Sequence, residues 1–173
     1  VRLDGARFLV SAPISEAVGL WDKFVAAGAA PAGTAAWSWL DICQGLPTVT
    51  LPVQEEFVAQ MLNFDLIGGV SFNKGCYPGE EIVARTHYLG KLKKRMFRVH
   101  TDATELPATG TDVYSPEFGE QSAGKVVIAA PAPEGGFDAL VVLQTSSAES
   151  TEVHLGTPDG APVSFLPLPY ALS

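Results

Sequence analysis

Apolar positions along the chain change their period partway through. Residues 6–12, "ARFLVSA", read as a strand that Pro13 ends. From Ser15 the spacing becomes helical, with Ala17, Val18, Leu20, Trp21, Phe24 and Val25 on one face and Gly28 as the stop. "AAPAGTAA" is a connector, and "AWSWLDI" alternates, so that Trp37 and Trp39 share one face of a predicted strand. "QGLPTVTLP" breaks the pattern, and "EEFVAQMLNFD" predicts a short amphipathic helix. "EEIVARTHYL" has helical spacing with acids in its first turn, where the helix dipole favours them. After Lys94 the chain becomes a series of short β-like runs: "RMFRVHT", "GTDVYS", "AGKVVIAAP", "DALVVLQT", "TEVHLGT" and "APVSFLPL". Turn residues separate them every 8–12 positions or so, which suggests an antiparallel sandwich or small barrel. The pattern therefore predicts an α+β protein with a boundary near Lys94: an α+β part over 1–94 and a β-barrel over 95–173.

Composition changes this picture little. The 173 residues are 47% apolar, enough for a core and against disorder. No apolar run approaches the roughly 20 residues of a membrane span, so no membrane partner is expected. The chain begins at Val1 in mid-pattern, and a longer parent protein is expected. Two cysteines, Cys43 and Cys76, are too few for a disulfide framework and form no C-x-x-C pair. A reducing, cytoplasmic setting is the default, with a single Cys43–Cys76 bridge left open. His87, His100 and His154 are scattered, and no metal set is expected from their spacing.

Charge changes it more. The net charge is −8, but residues 74–98 carry seven bases and two acids, while 99–173 carry one base and ten acids. Local field at a site matters more than the total. The basic run "KLKKR" reads as a solvated edge, and the acidic remainder argues against direct nucleic-acid binding.

The concentration of positive charge coincides with "SFNKGCYPGEEIVARTHYLGK", residues 71–91. Gly75 and Gly79 flank Cys76, and Pro78-Gly79 signals a turn. Cys76 is thereby placed just before a helix N-terminus, with Lys74 two residues away, and both features favour the thiolate. Glu80 and Glu81 oppose that effect. The alternative for Cys76 is a small buried apolar side chain. For Arg85 the alternative to ligand binding is an i,i+4 pair with Glu81, worth about 0.2–0.5 kcal/mol.

"GGVSFNKGCY" followed by "KGCYPGEEIVART" resembles the signature of the YgfZ family, folate-binding proteins related to the glycine-cleavage T-protein. Lys74, Gly75, Cys76, Tyr77, Gly79, Glu80, Glu81 and Arg85 occupy the matching positions, and Pro78 stands where threonine is frequent. The upstream run "QGLPTVTLPVQEEFVAQMLNFDLIGGVSF" and the downstream "LGKLKKRMFRV" also match, so the resemblance covers nearly the whole chain. It implies part of a folate-binding α/β domain followed by a small antiparallel barrel. It also implies tetrahydrofolate as cofactor of the complete protein, iron–sulfur proteins as clients, and an indirect influence on tRNA modification. Cys76 is then the candidate reactive thiol and Lys74 its electrostatic support. Lys74, Tyr77, Gly79, Glu80 and Arg85 are the candidate folate contacts, with arginine suited to the carboxylates of a glutamyl tail. Tyr77 either packs on the pterin ring or fills core.

Two departures bear on this. The resemblance implies three lobes around a central folate cavity, and the family's N-terminal region, with an aspartate required for aminomethyl transfer, has no counterpart here. This chain alone is therefore not expected to bind folate strongly. In "LDICQGLP", Cys43 stands where T-proteins carry a pterin-binding glutamate and Asp41 where they carry arginine. A thiol cannot replace a carboxylate as a strong acceptor, and Cys43 is expected in the core. Two alternatives stand beside the accessory role: a one-carbon (aminomethyl) transferase, and a non-catalytic interaction module.

Overall fold

A computed structural model describes residues 7–75, 77–90, 92–149 and 152–172. The chain divides into two compact units, Val1–Gly33 and Thr34–Ser173.

In the first unit, helix α1 (Ile14–Ala26) follows the predicted spacing. It ends as expected: the N–H groups of Ala27 and Gly28 bond back to the Lys23 and Val25 carbonyls, and Gly28 takes the left-handed φ of +96° that glycine tolerates. The strand expected over 6–12 is not formed. Its described residues hold only an isolated bridge at Phe8, and Phe8, Leu9 and Val10 are all more than half exposed. Alternation makes a strand only where a neighbouring strand and layer receive it.

The second unit opens with α2 (Thr34–Cys43), where alternation had predicted a strand. Helical geometry puts Trp39, Ile42 and Cys43 on one face, and Ile42 is fully buried while Trp37 and Leu40 stay partly exposed. The helix closes in a Schellman pattern: Leu46 N–H donates to the Asp41 carbonyl at 2.9 Å and Gly45 N–H to that of Ile42 at 3.0 Å. Gly45 is left-handed (φ +62°), and a Cβ there would lie 2.5 Å from Tyr170 Oη, which itself donates to the Gly45 carbonyl at 2.8 Å. Cys43 is half-buried at the end of α2, and the bridge left open to Cys76 lies outside the described residues.

The helix expected over 55–65 is also replaced. Two short 3-10 turns, Leu51–Val53 and Ala59–Leu62, flank irregular backbone, and Asn63 ends the second in the left-handed region. Tertiary bonds decide this: Asn63 donates to the Met96 carbonyl at 2.8 Å, and the Gln60 amide donates to that of Val83 at 2.5 Å. Helix α3 (Glu80–Leu89) forms where its pattern predicts.

Among the described residues the strands all lie beyond α3, in the segments predicted for them: β1 (Lys94–Thr101), β2 (Asp112–Tyr114), β3 (Gly124–Pro131), β4 (Phe137–Gln144), β5 (His154–Leu155), β6 (Ala161–Pro162) and β7 (Ser164–Leu166). They form one antiparallel, barrel-like sheet in the order β6-β5-β2-β3-β4-β1-β7. One segment nearly closes it, because β6 pairs with β5 while β7, two residues on, pairs with β1.

The long strands are buried on both faces. Val99, Val126, Ala139, Val141 and Leu143 face the barrel interior with Val113, Val153 and Val163. Met96, Val127, Leu140 and Val142 face outward, under Ile42 of α2 and Leu62. Strand β4 is consequently apolar almost throughout, as a strand buried on both faces must be. Asp138 is its one buried polar residue, and it lies on the outward face.

Candidate functional site

The segment singled out by sequence folds as a turn that feeds α3. Glu80 N–H donates to the Tyr77 carbonyl at 3.1 Å, and Tyr77 N–H donates to the Glu80 carboxylate at 3.3 Å. Between them Gly79 adopts φ +86° and ψ −5°, the third position of a type II turn after Pro78. Glu80 is thus half-buried and engaged in the turn itself. The Lys74 ammonium lies 4.9 Å from the centroid of the half-buried Tyr77 ring, within cation–π range. Lys74, Gly79 and Arg85 are exposed. No ion pair joins Glu81 to Arg85 among the described residues. His87 stacks on Phe72, with ring centroids 4.0 Å apart and an interplanar angle of 18°, tying α3 to the approach segment. Cys76 lies outside the described residues.

Beneath α3 is a cavity of about 510 Å³ lined by Gln60, Asp65, Thr86, His87, Gly90 and Arg95, among others. Sequence reasoning missed Gln60, Asp65 and Arg95. Arg95 Nη1 meets both the Asp65 carboxylate and the Gln60 carbonyl at 2.8 Å, and the side chains of Arg95 and Asp65 are only 6% and 9% exposed. Gln60 is fully buried, and its Oε1 accepts no hydrogen bond among the described residues. Such an orphan acceptor costs on the order of 1–3 kcal/mol unless a partner fills it. In the sequence, Arg95 was hidden at the end of "KLKKR", a run that reads as solvated surface.

A second cluster was also missed. Asp138 Oδ2 accepts from Trp39 Nε1 at 3.0 Å and Arg98 Nη2 at 2.8 Å, while Oδ1 lies 2.8 Å from His100 Nδ1. Burial pushes the Asp138 carboxyl up, but the bonds from Arg98, His100 and Trp39 together outweigh it and hold the pKa below the ordinary value. The hydrogen bond to Asp138 raises His100 above its ordinary value against the opposing effect of burial, and Asp102 adds to the rise. The signal was available: a charged residue inside the apolar run "FDALVV" needs a partner.

A glycine-framed turn leading into a helix, beside a nearly closed antiparallel sheet, defines an α+β protein with a small barrel-like sheet. No family model matches the chain. Among curated proteins it is 32% identical over 173 residues to the tRNA-modifying protein YgfZ of Cronobacter sakazakii, an alignment of 98% of this chain and 52% of that protein. It is 34% identical over 138 residues to the protein of that name from Photobacterium profundum (79% of this chain, 42% of that one) and 30% identical over 173 residues to that of Yersinia pestis (99% and 52%). The chain belongs to the YgfZ family, and it spans about half the length of these curated relatives.

Proposed function

We propose that this chain is part of a tetrahydrofolate-dependent accessory factor for the assembly or repair of iron–sulfur clusters, acting on tRNA modification through cluster-containing enzymes. The relatives are named as tRNA-modifying proteins, which supports the last step. The observation that carries the reading is the link between the motif segment and a polar-lined cavity: Phe72, in the approach to the turn, stacks on His87 of α3, and His87 lines the cavity with Thr86, Gly90 and Arg95.

The residues present fit a folate in two respects. Lys74 and Arg85 are exposed cations without an ion pair to Glu81 or any other described acid, and they would hold the carboxylates of a glutamyl tail. Gln60 Oε1 is a buried acceptor without a donor among the described residues, of the kind a pterin N–H satisfies. Bound folate would supply one-carbon and redox chemistry. Cys76 would supply a thiolate able to engage a cluster as cargo. The test is a Cys76→Ala substitution in the complete protein within cells, reading the activity of cluster-dependent tRNA-modifying enzymes. Loss of that activity with normal protein abundance is expected. Unchanged activity removes the thiol from the mechanism.

A further inference from the structure

The outward face of β1 and β4 continues past the apolar layer under α2 into a separate cavity of about 550 Å³, whose lining includes none of residues 71–90. Arg98 and His100 alternate along β1, so both project from that face, and His100 lies directly opposite Asp138 in the β1–β4 register. The hairpin after β3 closes over the ring. Gly136, left-handed at φ +62°, has no Cβ, and one placed there would lie 2.5 Å from the Thr101 carbonyl and 3.0 Å from His100. The close approach therefore requires glycine.

The charges are layered. Inside, both oxygens of the buried Asp138 are already engaged by Trp39, Arg98 and His100. Arg98 spends a single N–H on that carboxylate and makes no other side-chain hydrogen bond among the described residues. His100 turns Nδ1 to Asp138, leaving Nε2 with only a 3.4 Å contact to Asp102. The inner end thus offers a guanidinium with spare donors and, when His100 is protonated, a second donor at its Nε2. The outer acids, Asp102 (94% exposed) and Glu134, stand in solvent. Trp39, Pro133 and Leu166 supply the apolar wall.

We propose that this cavity binds a free α-amino acid with an apolar side chain. Arg98 and His100 take its carboxylate, Asp102 and Glu134 its ammonium group, and Trp39 and Leu166 its aliphatic side chain. A dianion meets repulsion from the outer carboxylates, and a simple amine meets it from the guanidinium, so the arrangement selects a zwitterion over either single charge. The argument is independent of the folate reading, since the two cavities share no lining residue.

The probe is L-leucine, titrated into the full chain while the Trp39 indole and His100 ring resonances are followed by NMR. Isovalerate, which keeps the carboxylate, and isopentylamine, which keeps the ammonium group, are titrated in parallel. Leucine should shift both resonances saturably and bind about tenfold tighter than either fragment, a difference of about 1.4 kcal/mol. Glu134 is exposed in the hairpin, so Glu134→Gln leaves the fold intact; it should weaken leucine about threefold, roughly half that free energy, and leave isovalerate unchanged. Absence of a saturable shift with leucine overturns the proposal. So does isovalerate or isopentylamine binding as tightly as leucine, or Glu134→Gln without effect on leucine.

Discussion

Arg95 and Arg98 sit three residues apart on β1 and therefore leave opposite faces of the sheet. Each meets one aspartate at 2.8 Å, Asp65 for Arg95 and Asp138 for Arg98. The partners differ in origin. Asp65 comes from the irregular stretch before the glycine-framed segment, and the Gln60 carbonyl shares Arg95 with it. Asp138 comes from the neighbouring strand and gathers donors from α2 and β1. The first pair ties the segment under α3 to the barrel, and the second ties α2 to it. Neither pair is a net gain simply by existing, because desolvation offsets the attraction of buried ions. Their importance shows when one partner is removed and the other is left buried and uncompensated.

That asymmetry ranks the two. Asp138→Ala strands a guanidinium, an imidazole and an indole N–H together, so it should cost about 3–5 kcal/mol. Asp65→Ala leaves Arg95 its bond to the Gln60 carbonyl, so the loss should fall near the lower end, about 3 kcal/mol. Urea unfolding of both variants checks the ranking through the midpoint, provided the slope is unchanged. A larger loss for Asp65→Ala would mean that the segment under α3, not the α2 contact, is the stronger brace of the fold.

A smaller effect sharpens the same comparison, because only the Asp138 cluster contains a histidine. The folded pKa of His100 is raised, so its contribution to stability is complete below about pH 6.5 and is lost as pH rises through the folded value. Asp138, held low, contributes above about pH 3.9, and that contribution disappears as pH falls through its folded value. The His100 side chain remains 28% exposed, so solvent screens the pair and keeps the effect modest. Tm measured on either side of about pH 6.5 should fall on the alkaline side, and His100→Gln should flatten that limb. An equally steep limb in His100→Gln assigns the pH dependence elsewhere.

The two regions were also unequally legible. The barrel could be read because its strands are short apolar runs between turn residues, and local pattern decides them. Helix α3 could be read because Gly79 and two acids mark its start. Helix α2 could not. Trp37 and Trp39 imitate strand alternation, and only the burial of Ile42 under the sheet reveals the helical face. The stretch 55–65 failed for a related reason: Gln60 and Asn63 spend their amides on Val83 and Met96, partners 23 and 33 residues away that no local window contains. The glycine-framed segment was visible as a motif. Its supporting residues, Gln60, Asp65 and Arg95, were not, since their roles come from tertiary pairing.

The smallest expected effect bears most directly on function. Lys74 and Arg85 are exposed, and Lys74 has a ring contact with Tyr77. Lys74→Met should cost at most about 1 kcal/mol of stability, the scale of an exposed cation–π contact, and Arg85→Ala about 0.5 kcal/mol or less. Thermal unfolding and titration with tetrahydrofolate, run on the same variants of the complete protein, separate two roles. If these cations hold a glutamyl tail, affinity should fall about tenfold while Tm barely moves, because tenfold corresponds to roughly 1.4 kcal/mol of binding. Asp65→Ala should instead lower both together, as loss of a brace does. Should Lys74→Met lower Tm as far as Asp65→Ala, the segment around Cys76 is a structural hinge, and its charge has no ligand to answer.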